Sequence, residues 1–287
     1  MNEGQSLINA FTIDVEDYFQ VESFSGVVNK NSWDSRPCRV ENNTQHILDI
    51  LDRKNVKGTF FILGWIAKRY PQLVRDIAER GHEVASHGMS HQLIYRQTQK
   101  QFKIETQESK KILEDIVQQP LLGYRAATYS ITNDSLWALD ILAEVGYQYD
   151  SSIFPMRHDR YGIPDANPYP GFIKTPSGAT LVEFPISTYK TSGATIPVAG
   201  GGYFRLFPYF FTRFCLGRVN KSGHEFLFYM HPWEIDVDQP RIDGISRFTK
   251  FRHYNNLDQF EPRMMKLLND FKFTTMAAVL NKMGLLK

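Results

Sequence analysis

From residue 9 to about residue 150 the chain alternates short apolar runs with longer amphipathic segments, the pattern of βα repetition. Residues 9–14 read as a buried strand that runs into acids, with further strands at 57–62 (KGTFFI) and 82–86 (HEVAS). Ile47, Leu48, Ile50 and Leu51 mark the apolar side of a helix predicted over 44–54. A helix over 71–80 stops at Gly81, and a long one runs over 98–118. A strand at 123–125, a helix over 133–145 that closes at Gly146, and a strand end at 148–150 complete the regular part.

Residues 155–208 break the rhythm. Their glycines and prolines (YGIPDANPYPGF, TPSGAT, PVAGGGYF) predict long loops and short strands of the kind that shape a binding cleft. Regularity returns at 225–230 (EFLFYM), a strand that ends at His231, and in a helix over 262–271. No repeat, low-complexity tract or flexible linker intervenes. The chain therefore reads as one α/β domain spanning 1–287 with an irregular, loop-rich insertion around 155–208, and its 287 residues, 42% of them hydrophobic, suffice for one large core.

Composition narrows the partners. A formal charge of +2 with scattered basic residues gives no footprint for nucleic acid. No run approaches the ~20 apolar residues of a membrane span. The first residues show no basic segment followed by an apolar run, so a cytoplasmic location is expected. Cys38 and Cys215 stand far apart without histidines at metal spacing and are expected to be free thiols.

Four polar clusters each follow a predicted strand: Asp14, Glu16 and Asp17; His87 and His91; Arg125; and His231. In an α/β barrel the strand ends converge on one face, so residues remote in sequence meet there. In SHGMSH the two histidines are four apart, a spacing that sets two imidazoles on one side of a helical turn. An isolated H-x-x-x-H is more often a pair of solvated histidines; the upstream strand and the acid cluster shift that reading toward a metal site. Three carboxylates within FTIDVEDYF repel one another unless a cation offsets their charge. Asp14 is the candidate general base and Asp17 the candidate ligand, with Glu16 as the alternative. One acid and two histidines leave positions open for water and substrate, as a catalytic metal requires.

These residues carry a resemblance. The chain resembles the NodB-homology polysaccharide deacetylases, close to the subgroup found with exopolysaccharide biosynthesis. FTIDVEDYF is similar to that family's first motif, SHGMSH to its metal-histidine motif and GYRAATYS to its arginine motif; YDSSIFP and FLFYMHPWEID are similar to its fourth and catalytic-histidine motifs. The resemblance implies a distorted (β/α) barrel with fewer than eight regular strands. It implies Asp14 as base, Asp17 or Glu16 with His87 and His91 as metal ligands, His231 as general acid, and Arg125 as the group that orients the base. Asp150 would lie in the cleft and set the charge of His231. The family's first motif has two adjacent aspartates, whereas DVED spreads its acids over four positions; Ala127 and Gly88 also depart from the common pattern.

The implied reaction is removal of N-acetyl groups from amino sugars of a polysaccharide or its precursor, with a divalent metal, zinc first and nickel or cobalt as alternatives. An amide needs a stronger nucleophile than water, and its amine leaves only when protonated. An oxyanion donor is expected within 126–129. Tyr129, Tyr203, Phe204 and Trp233 are candidates for stacking on sugar, with the glycines of GGGYFRLFP admitting close approach to substrate. Arg157, His158 and Arg160 are candidate binders of an anionic group, or a solvated basic turn. Two rivals remain: an amidohydrolase for a small cyclic amide on the same scaffold, and a carbohydrate-binding protein whose histidines are incidental.

Overall fold

The computed structural model describes residues 7–158 and 160–286. Its eleven strands are β1 (Ile8–Val15), β2 (Thr59–Ile62), β3 (Glu83–Ser86), β4 (Gly123–Tyr124), β5 (Tyr149–Asp150), β6 (Gly171–Lys174), β7 (Thr180–Glu183), β8 (Thr188–Lys190), β9 (Thr195–Pro197), β10 (Leu227–Met230) and β11 (Lys272–Thr274). The helices are α1 (Val40–Arg53), α2 (Gly64–Arg69), α3 (Pro71–Glu79), α4 (Gln99–Val117), α5 (Trp137–Val145), α6 (Gly201–Leu206), α7 (Tyr209–Lys221), α8 (Arg247–Tyr254), α9 (Leu257–Asp270) and α10 (Met276–Lys282).

Nine strands form one sheet in the order β10-β1-β2-β3-β4-β5-β7-β6, with β11 also on β1, and β8 pairs with β9 apart from it. Every pairing in the large sheet is parallel except the β6–β7 hairpin. The hydrogen-bonded path stays open between β10 and β6, which is the distortion of this (β/α) barrel. A central parallel strand is covered on both faces, and β1 is buried along its length from Asn9 to Val15. Alternate residues face two different cores. Phe11 and Ile13 join Phe60, Phe228 and Met230 against the helices, while Ala10 joins Phe61, Tyr149 and Tyr229 on the other side. Thr12 and Asp14 share that second face.

Register places the chemistry. Asp14 pairs with Phe61, Ile62 with Ser86, Ser86 with Tyr124, and Ile13 with Met230. His87, Arg125 and His231 are the next residues after Ser86, Tyr124 and Met230, so all three leave the sheet at one level beside Asp14.

Several elements differ from expectation. Residues 155–208 hold the expected short strands, paired as β6–β7 and β8–β9, but also α6, which was not expected. The residues 209–221 form α7, and Pro262 lies inside α9 instead of at its start. Among the described residues no helix is long and apolar enough to cross a membrane.

Candidate active site

A cavity of about 200 Å³ opens at the C-terminal ends of β1, β3 and β10, lined by Asp14, Glu16, His87, His91 and His231 among others. Period-two alternation carries Thr12, Asp14 and Glu16 to one side, and this decides between the acids of DVED. Glu16, His87 and His91 each offer one ligand atom, all within 4.8 Å of one another. Asp17 points away. Its Oδ1 accepts from the Tyr18 amide at 2.8 Å, and its Oδ2 from the amides of Arg39 at 2.6 Å and Val40 at 2.9 Å. Asp17 thus caps its own turn and the N-terminus of α1, away from the histidines, and of the two acids expected as ligand it is Glu16 that lies beside them.

The histidines converge by a different route from the one expected. Residues 87–91 form a loop and not a helical turn; Gly88 at φ +76 and His91 at φ +52 reverse it, bringing the two rings to 5.5 Å. Gly88 thus supplies the left-handed backbone that a β-carbon disfavours. The Nδ1 of His87 donates to the Arg125 carbonyl at 2.8 Å, which leaves its Nε2 as an acceptor facing the cavity. Burial holds the His87 pKa down at about 4, so that the ring stays neutral despite Asp14 nearby.

Glu16 supplies the test of whether this donor set fits a cation. The Nε2 of His91 lies 2.7 Å from Glu16 Oε2, yet Oε2 is buried without a hydrogen-bond partner. The contact with His91 is an ion pair outside hydrogen-bond geometry, and a bound cation would meet this buried oxygen directly. Two imidazoles and one carboxylate around it are the donors a divalent metal takes, so the residues fit the group. Burial alone would raise the Glu16 pKa; the imidazoles of His91 and His231 outweigh it and lower it to about 2.

Asp14 is held by Arg125, whose Nη1 reaches Asp14 Oδ1 at 2.6 Å and Thr12 Oγ1 at 2.9 Å. Arg125 is wholly buried; its Nε and Nη2 donate to the Ser151 carbonyl and hydroxyl, and its guanidinium lies 4.0 Å from the Phe61 ring centre. A buried charge with all three nitrogens engaged is a rigid support.

His231 stands on the opposite wall with Nε2 3.4 Å from Glu16 Oε1 and Nδ1 3.2 Å from Glu234 Oε2. Glu234 is in turn paired with Arg205 at 2.9 Å. Burial would lower the His231 pKa, but Glu16 and Glu234 raise it to about 9, so the ring is an imidazolium at neutral pH. Glu234 and Arg205 were absent from the sequence reading. A glutamate three residues after His231 was the available signal, whereas Arg205 sits on α6, in a segment read as loop.

The remaining candidates divide. Asp150 does not face the cleft: it accepts from the Ser152 hydroxyl at 2.5 Å and interacts with Glu183, so that burial raises both pKa values. It supports the strand end behind Arg125 and does not set the charge of His231. Trp233 lines the cavity as a floor, stacked between His231 and His253 at centroid distances of 5.1 and 4.2 Å. Tyr129, at φ +53, also lines it. In the 126–129 turn the Ala126 amide is held by Ser152 and the Tyr129 amide by the Ala126 carbonyl, while Thr128 faces the cavity. Phe204 is fully buried against Phe228 and Phe260 and cannot stack on a ligand. The close approach at the glycines is to the protein itself: a β-carbon on Gly200 would sit 1.8 Å from the Tyr229 carbonyl oxygen. Tyr203 lines a neighbouring cavity, and His158 and Arg160 the main one.

Residues 31–149 match the family model for polysaccharide deacetylase. That segment, less than half of the chain, is similar to the polysaccharide deacetylase family. Residues 151–281 match a second model, described as a domain of unknown function (DUF3473). The two matches meet inside one sheet, since β5 pairs with β7 and β1 with β10. The second segment therefore belongs to the same fold, and it contributes His231, Glu234 and Arg205 to a site whose histidines and Arg125 come from the first.

Over 105 residues the chain is 30% identical to a peptidoglycan-N-acetylglucosamine deacetylase of Bacillus cereus, covering 37% of this chain and 47% of that protein. A chitooligosaccharide deacetylase of Bradyrhizobium is 31% identical over 100 residues, 35% of this chain and 43% of its own. The chain thus spans about half the length of the curated relatives it matches. Among solved structures, a Mycobacterium smegmatis protein assigned as a polysaccharide deacetylase aligns over 100% of this chain and 94% of its own, at TM-score 0.63 and 21% identity. Puue allantoinase aligns at TM-score 0.61 and 13% identity over 96% and 89%. A CE4 family pseudoenzyme from Bacillus anthracis shares the fold too, at TM-score 0.51 and 14% identity over 96% and 66%. At these identities the likeness shows the fold, so activity has to be argued from the site.

Proposed function

We propose that the chain is a metal-dependent N-deacetylase acting on an N-acetylated amino sugar of a polysaccharide or its precursor. The observation that carries this reading is the triad of Glu16, His87 and His91 with its unpartnered carboxylate oxygen, facing Asp14 and His231 across one cavity. Two imidazoles and a carboxylate favour zinc, and the same set accepts nickel or cobalt. The motif resemblance supports a role in exopolysaccharide biosynthesis. The unpaired Cys38 and Cys215 support a reducing, cytoplasmic setting.

Glu16, His87 and His91 would hold a divalent metal, which would supply Lewis acidity to water and to the acetyl carbonyl. The protein's own groups do the rest. Asp14, fixed by Arg125, takes the proton of the attacking water. The 126–129 turn faces the carbonyl, with the Thr128 amide as donor to the developing oxyanion. His231, charged through Glu234, gives its proton to the departing amine nitrogen, without which the amine leaves poorly. Trp233 keeps the His231 ring in plane from below.

The cavity also favours a sugar over a small cyclic amide, because it continues into a second one that shares Tyr161, Gly202, Arg205, Tyr229 and Arg252 with it. The deciding experiment measures acetate released from N-acetylglucosamine oligosaccharides with and without chelator. Release that the chelator abolishes supports the reading; no release from any N-acetylated sugar by metal-loaded protein overturns it.

A further inference from the structure

The second cavity, of about 140 Å³, is built wholly from the segment that matches the domain of unknown function: its walls run from Tyr161 to Asn255. Its surfaces are of two kinds. Tyr161, Tyr203, Tyr229 and Phe251 present rings, and Arg252 and Asn255 present polar groups. Tyr161 is a fixed wall, since its ring is stacked between Phe154 at 5.4 Å and His158 at 3.8 Å, each within 4° of parallel. Phe251 and Leu206 stand at the open side, 53% and 49% exposed, so the cavity admits a ligand that extends outward.

Charge then narrows the ligand. Among the described residues no carboxylate lines this cavity. Arg205 is already met by Glu234 at 2.9 Å, and its Nη1 donates to the carbonyls of His253 and Asn255. Arg252 is different: it forms no ion pair among the described residues and lies over the Phe248 ring at 5.6 Å. A guanidinium without a carboxylate, beside aromatic rings and next to a catalytic cavity, binds a planar or tetrahedral oxyanion well.

Resting on the deacetylase reading for the neighbouring cavity, we propose that this second cavity is a subsite for a negatively charged group attached next to the reacting acetamido sugar, with Arg252 as its counter-ion and Phe251 as its stacking wall. The shared chemistry is an oxyanion one linkage away, from a phosphate or from a uronate carboxylate. On this view the second segment selects an acidic glycan, beyond supplying the proton donor.

Calorimetric titration of the full chain tests this with three probes: N-acetylglucosamine 1-phosphate, glucuronyl-N-acetylglucosamine and neutral diacetylchitobiose. One or both charged probes are expected to bind about tenfold tighter than the neutral one at low salt, with the preference lost in Arg252→Ala and reduced by added salt. Which charged probe wins assigns phosphate or carboxylate. Phe251→Ala is expected to weaken both disaccharides and to leave the preference for charge in place. Equal affinities for all three probes, or a preference that survives Arg252→Ala, overturn the subsite. Acetate release by the zinc-loaded chain, from these probes and from N-acetylglucosamine oligosaccharides, separates the two readings: a charge preference without release from any of them removes the deacetylase reading and leaves an anion site, whereas release without a preference removes the subsite alone.

Discussion

The Nε2 of His91 lies 2.7 Å from Glu16 Oε2, and that oxygen has no hydrogen-bond partner. The contact is a buried ion pair outside hydrogen-bond geometry, and a bound cation would stand in for its proton. Metal analysis after loading with zinc and desalting is therefore expected to find about one equivalent in the wild type. Glu16→Gln and His87→Ala should each lower it by at least tenfold, in line with the large share of affinity one ligand of three provides. Undiminished zinc in either variant would remove that residue from the donor set.

Asp17 gives the contrasting expectation. Its carboxylate accepts two buried amide protons and one part-buried one, so Asp17→Ala leaves those donors unmet and is expected to lower stability by about 3 kcal/mol. Zinc content of the folded fraction should stay at the wild-type value. Urea denaturation paired with metal analysis checks both halves. A variant that lost zinc while keeping its stability would return Asp17 to the ligand set.

This pair shows where the sequence was legible. Strand ends were, because apolar runs stop abruptly at Asp14, Ser86 and Met230, and parallel register then brings the following residues together. The expectation of Asp17 over Glu16 does not follow the alternation of Thr12, Asp14 and Glu16 one residue past the end of β1. Asp150 misled because the strand-end rule says nothing of which face a two-residue strand turns to the cleft. Arg205 and the buried Phe204 were hidden by the glycines before them. Those glycines read as loop, whereas Gly200 is required by contact with the Tyr229 carbonyl and α6 begins immediately after it.

Glu234 is fully buried, shared between His231 and Arg205, and does not touch the triad. Its role in the proposed chemistry is to keep the His231 ring charged and oriented. Glu234→Gln retains the shape and one acceptor but removes the charge, and is expected to reduce kcat for acetate release by about 10²-fold, at the lower end of what proton transfer contributes. Zinc content should be unchanged. His231→Ala should lose at least as much, and the double variant should lose no more than His231→Ala alone, because Glu234 acts through that ring. Additive losses would separate the two residues.

Far from the cleft, His82 sets an acid limit on the fold. Its Nδ1 accepts from the Gly58 amide at 3.1 Å, and the ring packs on Phe60 at 5.0 Å. Burial, with Lys57 adding to it, lowers the His82 pKa from 6.5 to about 4, so the folded chain keeps the ring neutral where an unfolded chain would protonate it. Between these two values the unfolded state binds more protons, and stability must rise with pH across that window and fall as pH drops through it. Protonation would also remove the acceptor that the Gly58 amide needs. His82→Asn keeps an acceptor near the Nδ1 position and cannot titrate. The stability difference between variant and wild type, from urea denaturation, is therefore expected to move in favour of the variant by on the order of 2 kcal/mol between pH 7 and pH 4.5. A difference that stays constant with pH would show that His82 titrates alike in both states.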